Sequence, residues 1–115
     1  KYQSYLGITP PNHSQGVLQD IHWSAGLIGY FPTYALGNLY ASQFFAQAQQ
    51  DLDGLDGAFQ QGRFDGLLSW LRQTIHRRGR CSSASELVQS VTGSALSHRP
   101  LIEHLQNKLA PLYNL

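Results

Sequence analysis

Tyr34-Ala35-Leu36-Gly37-Asn38-Leu39-Tyr40-Ala41-Ser42-Gln43-Phe44-Phe45-Ala46-Gln47-Ala48-Gln49-Gln50 decides the fold class of this 115-residue chain. Gly37, Tyr40, Ala41, Phe44, Phe45, Ala48 and the following Leu52 recur at the i, i+3, i+4, i+7 spacing of one helical stripe. Pro32 just upstream and Asp53-Gly54 just downstream bracket this helix. Further on, Phe64, Leu67, Leu68, Leu71 and Ile75 form a second stripe. It ends in His76-Arg77-Arg78-Gly79, with cations in the last turn and glycine at the stop. Between the two, a short helix near Leu55 to Gln61 is opposed by Gly54, Gly57 and Gly62. Ser83-Ala84-Ser85-Glu86 is a capping box, with serine and glutamate three apart. It opens a helix through Leu87, Val88 and Val91 that stops at Thr92-Gly93. Ser97 caps the last helix, whose face is Leu101, Ile102, Leu105 and Leu109, and Pro111 ends it. No alternating strand pattern of any length and no internal repeat occurs, so the fold class is all-α, an irregular helical bundle.

Upstream of Tyr34 the pattern is broken. Lys1 to Leu6 reads as the end of a helix, and Gly7-Ile8-Thr9-Pro10-Pro11-Asn12-His13 as an ordered loop. A short helix is expected over Val17 to Ala25. Gly26 to Thr33, rich in glycine and aromatics, suits a tight irregular segment packed near other backbone.

Composition excludes several classes. The chain is 42% hydrophobic and 11% aromatic, enough for a core and far from a disordered composition. Only 13% is charged, about half the ~25% of ordinary soluble domains; twelve glutamines and many serines supply polarity instead. A net charge of +1 argues against a nucleic-acid or membrane-surface protein working by bulk charge. Cys81 is the one cysteine, which excludes an intrachain disulfide and a Cys-rich zinc module. Apolar runs fall far short of the ~20 residues of a membrane helix, and no signal or transit peptide is visible. The chain has no methionine, so it is expected to be a piece of a longer protein.

Most clusters of chemically active residues have ordinary explanations. No two of His13, His22, His76, His98 and His104 stand at i, i+4, and HExxH is absent, so no metal site is expected within the chain. Asp51-Leu52-Asp53-Gly54-Leu55-Asp56-Gly57 fails as a calcium loop, because Gly62 stands where the closing glutamate belongs. Arg77, Arg78 and Arg80 form too short a cluster for nucleic acid and read as a solvated helix end. Cys81 has basic neighbours but no recognisable base partner. The densest stretch is Gly16-Val17-Leu18-Gln19-Asp20-Ile21-His22-Trp23, followed by Gly26, Gly29, Tyr30, Pro32 and Tyr34. On a regular helix Asp20, two residues from His22, points away from it. His22 among aromatics reads first as a core histidine, and second as a donor to a substrate carbonyl or oxyanion.

The same eight residues spell GxxQDxHW, and on them the chain resembles the carboxypeptidase Taq family of zinc metallocarboxypeptidases. Tyr5-Leu6-Gly7, Pro10-Pro11-Asn12, and Gly29-Tyr30-Phe31-Pro32-Thr33-Tyr34-Ala35-Leu36-Gly37-Asn38 match the flanks of that motif. Trp70-Leu71-Arg72, His76-Arg77-Arg78-Gly79-Arg80 and Val91-Thr92-Gly93 resemble the family's C-terminal end. The resemblance implies the C-terminal subdomain of a larger helical metallopeptidase, cytoplasmic and homodimeric, that removes C-terminal residues from peptides with broad specificity. It implies zinc or another divalent metal in the parent, held by an HExxH helix and a glutamate upstream of Lys1, with none bound by this chain. The missing N-terminal part is then a partner of this one, while nucleic acid and membrane are not. Residues 1–15 enter as a loop, 16–37 carry the substrate side, and 38–115 are a helical scaffold. By resemblance His22 and Tyr34, twelve apart, donate to the substrate carbonyl or carboxylate, with His22 acting directly or behind Tyr34. Tyr30 and Gln19 are substrate-binding candidates, and Asp20 and Trp23 orient the segment. The contrasting expectation is a non-enzymatic all-helical interaction module that keeps the motif for packing.

Overall fold

The computed structural model describes residues 1–114. Its elements are helical, with no strand among the described residues. Two compact units divide between Thr33 and Tyr34.

In the first unit, α1 (Tyr2–Leu6) stops at Gly7, whose φ of 69° places it in the left-handed region. There its N–H reaches the carbonyl of Gln3, the usual glycine closure of a helix. The expected helix over Val17 to Ala25 is not continuous. A 3-10 turn covers Val17–Gln19, Asp20 is extended, and α2 is confined to Ile21–Ser24. The cause is the Asp20 carboxylate, which accepts the His22 backbone N–H at 2.9 Å. That local bond competes with the helical ladder and restarts the helix. Gly26 and Gly29, with φ of 70° and 78°, carry the chain through the tight segment. The long helix α3 (Phe31–Asp51) starts before Tyr34. Pro32 lies inside its first turn, where a missing N–H costs nothing. Among the described residues of this unit only Gly16 is buried; Pro10, Asp20 and His22 are half-buried.

The second unit holds the core. It comprises the rest of α3, then α4 (Leu55–Gln60), α5 (Asp65–Thr74), a 3-10 turn at His76–Arg78, α6 (Ala84–Thr92) and α7 (Arg99–Tyr113). Ala48, Leu55 and Trp70 are buried together, with Phe44, Leu52, Phe59, Leu67, Leu71, Ile75 and Val91 packed around them. The C-terminal half of the α3 stripe thus reaches the core, while Gly37 and Ala41 stay exposed. Phe59 stacks with Phe45 at 6.3 Å and with Phe64 at 5.4 Å. The Trp70 indole N–H donates to Asp51 at 2.8 Å, and Gln47 donates to the same carboxylate at 2.8 Å.

One buried polar group organises the far end. Gln43, 4% exposed, offers its amide nitrogen to Thr92 Oγ1 at 3.0 Å and to Ser94 Oγ and the Ala95 carbonyl at 3.1 Å. Its carbonyl accepts the Ser97 N–H at 2.8 Å. The connection from α6 to α7 is therefore wrapped around one side chain of α3.

Two helix ends differ from expectation. His98, not Ser97, is the cap position of α7, although the Ser97 hydroxyl accepts the Arg99 N–H at 3.2 Å. Pro111 does not end α7, which runs on to Tyr113. So near the terminus a proline deletes one donor only, and the Asn114 N–H still reaches the Ala110 carbonyl. The capping box of α6 is complete in both directions. Ser83→Ala is expected to destabilise the chain by about 1 kcal/mol, read as a lower urea midpoint with unchanged slope.

Candidate functional site

The break at Asp20 builds the site. Because the helix restarts there, Asp20 turns back on the residue two positions ahead, contrary to the regular-helix expectation. Its Oδ1 lies 2.7 Å from His22 Nδ1 as well as 2.9 Å from the His22 backbone nitrogen. The imidazole is also held on its faces. Tyr30 stacks on it at 5.5 Å and 23°, and Phe31 approaches at 4.9 Å and 53°. Asp20, His22 and Phe31, with Tyr2, Gly16, Gln19 and Ile21, line an open cavity of about 320 Å³.

The other candidates have varied surroundings. The Gln19 side chain donates to the Ser14 carbonyl, closing the loop that precedes it. Trp23 is 58% exposed, and its side chain also hydrogen-bonds Asp20. The structure brings Asp20, His22 and Tyr30 together. Tyr34 is the first residue of the second unit and is half-exposed. Sequence reading missed four residues of the site: Phe31, Tyr2, Gly16 and Ile21. A glycine-aromatic run hints at Phe31, but nothing in the spacing marks Tyr2. A Cβ at Gly16 would lie 3.1 Å from the Pro10 ring and 3.3 Å from the Asn12 carbonyl, so a larger residue there requires the Pro10–Asn12 loop to give by a few tenths of an ångström.

Charge in the site is set by Asp20. Desolvation opposes its ionisation, but the bonds from the His22 N–H and ring, the charge of that ring and the Trp23 bond outweigh it. The carboxyl is held below its ordinary value of 3.8. A lowered carboxyl pKa gives stabilisation that is complete above 3.8 and is lost as pH falls through the folded value. The His22 amide is therefore expected to lose its protection against hydrogen exchange in that acid window and not above it.

Among the described residues no three His, Cys, Asp or Glu side chains converge as a metal site. Asp51 is engaged by Trp70 and Gln47, Arg78 is tied to Ser90 at 2.5 Å, and Cys81 is exposed. No helix among the described residues is long and apolar enough to cross a membrane.

Known proteins share this arrangement of chain. Residues 1–109 match the model of a family described as carboxypeptidase Taq (M32) metallopeptidase. Thermostable carboxypeptidase 1 of Thermus thermophilus is 48% identical over 113 residues, which is 98% of this chain and 22% of that protein. Carboxypeptidase 1 of Bacillus subtilis is 42% identical over 115 residues, 100% of this chain and 23% of that one. The crystal structure of the M32 carboxypeptidase from Deinococcus radiodurans R1 aligns with a TM-score of 0.89 at 36% identity, over 99% of this chain and 23% of that one. The chain spans less than a quarter of the length of each of these relatives.

Proposed function

The chain belongs to the carboxypeptidase Taq (M32) metallopeptidase family, and from that premise we propose that it is the C-terminal part of a metallocarboxypeptidase. In this reading the whole enzyme removes C-terminal residues from peptides with broad specificity, as a cytoplasmic homodimer. Among the described residues no three ligands converge for the divalent metal, zinc or another, that the family implies. The metal is then held by sequence outside this chain.

The part left to this chain is the substrate side. His22 and Tyr34 donate hydrogen bonds to the substrate's carbonyl or its C-terminal carboxylate. A donor aimed at developing negative charge is worth ~3 kcal/mol in the transition state. Tyr30 and Gln19 shape the same wall, and Asp20 and Trp23 orient it. The observation that carries this reading is the held imidazole: His22 has Asp20 on Nδ1 and aromatic rings on its faces. Such preorganisation lowers the cost of binding a charged oxygen.

The test uses the intact polypeptide and two peptides that differ only in a free or an amidated C-terminus. Stepwise release from the free peptide alone, abolished by a chelator and restored by divalent metal, is the expected result. Equal cleavage of both peptides would overturn the reading. Tyr34→Phe is expected to lower kcat/KM about a hundredfold with metal content unchanged.

A further inference from the structure

We propose that the apolar stripe of α7 is a docking seam for an apolar face of the remaining polypeptide. The proposal rests on the reading that this chain is one part of a longer polypeptide, and goes beyond it by naming where the rest is received. Because Pro111 does not end α7, Leu112 and Tyr113 are helical and lengthen the face expected from the sequence. At about 3.6 residues per turn, Leu101, Ile102, Leu105, Leu109, Leu112 and Tyr113 fall on one side of the helix.

An amphipathic helix turns such a stripe toward a core. Here the stripe stays largely open. No residue of α7 is buried, and Ile102 is 44% exposed, Leu112 70% and Tyr113 68%. The other side of the helix is the one that meets α3. Pro100, Glu103, His104 and Asn107 line one wall of an open groove of about 620 Å³, and Phe45 and Gln49 belong to the other wall. So α7 faces α3 across its polar side, while much of its apolar side is left to solvent.

The remaining polypeptide is the occupant these observations favour. The chain spans less than a quarter of the length of its relatives, so most of such a protein lies outside it. A second copy fits less well. From Ile102 to Leu112 the seam is about 15 Å long and about 10 Å wide. That falls well short of the ~800 Å² each partner gives to a stable dimer. A segment of the same polypeptide is held close by its covalent connection, so a small seam is enough to bind it.

Hydroxyl-radical footprinting of the unsubstituted intact polypeptide tests this without any variant. Oxidation of Ile102, Leu112 and Tyr113 is read by peptide mass spectrometry in the native protein and in urea, over a dilution that sedimentation follows to the monomer. Side chains as exposed as these three are in this chain are slowed less than about threefold on folding. The expected result is slowing of about tenfold or more at all three, kept in the monomer. Slowing below threefold at any of them means an open seam and overturns the proposal. So does protection that is present in an oligomer and disappears in the monomer, because a second copy then covers the stripe. No outcome depends on peptide cleavage. The enzyme reading can therefore fail with the seam covered, and the seam can prove open in an active carboxypeptidase.

Discussion

His22→Ala in the intact polypeptide is expected to lower kcat/KM several hundredfold while metal content stays at the level of the unsubstituted protein. The magnitude is that of one preorganised donor to developing charge, ~3–4 kcal/mol. The loss should appear in kcat, because the bond strengthens as the oxygen becomes anionic. Alanine removes the imidazole but keeps the backbone N–H that Asp20 accepts. The start of α2 is therefore retained, and circular dichroism should be unchanged. The half-buried ring packs on Tyr30 and Phe31, so some local loosening accompanies the change. His22→Gln, which restores a side-chain donor without the ring, separates the hydrogen bond from the packing. Unchanged kcat/KM in both His22→Ala and Tyr34→Phe would remove the role assigned to these residues. Loss of fold in His22→Ala would make the histidine structural and favour the helical interaction module.

Gln43→Leu is expected to destabilise the chain by about 2 kcal/mol. Leucine is close in size, so the cost is not a cavity. It comes from four groups that lose their partner: the half-buried Thr92 hydroxyl and Ser97 N–H, and the exposed Ser94 hydroxyl and Ala95 carbonyl, which water can reach. Each buried polar group left without a bond costs about 1–3 kcal/mol, reduced here because Thr92 Oγ1 also donates to the Val88 carbonyl at 2.8 Å. Urea unfolding followed by circular dichroism should show a lower midpoint at similar slope. Gln43→Glu is the companion variant. It keeps the acceptor for Ser97 but sets an oxygen against the Ala95 carbonyl. Its burial raises the pKa of the new carboxyl, so this variant should lose stability as pH rises. A Gln43→Leu protein as stable as the original would show that the connection from α6 to α7 is held by something else.

Much of the scaffold was legible because it follows from periodicity and capping. The stripe ending in Phe44, Ala48 and Leu52 does reach the core, and the Ser83–Glu86 box opens α6. The failures share a cause. At Asp20 a side chain competed with the helical ladder and won, so the expected helix split into a 3-10 turn and a four-residue α2. At Pro111 the rule for helix interiors was applied three residues from an end, where it loses its force. Gln43 looked like one of many surface glutamines, because its partners lie about fifty residues away and no local pattern points to them. In the site, the motif marked His22 and Asp20 as important but gave the wrong relation between them. Their contact depends on the backbone break, which the spacing alone argued against. Phe31 and Tyr2 come from elements on either side of the motif, so only the folded chain shows them beside it.

A single oxygen of Asp20 accepts both the backbone N–H and the ring of His22. The winding of four residues and the aim of one imidazole are thus a single mechanical event, a hinge pin shared by two parts. Warming that frays α2 releases the ring in the same step. On cooling, the rewinding of one short turn aims the ring again.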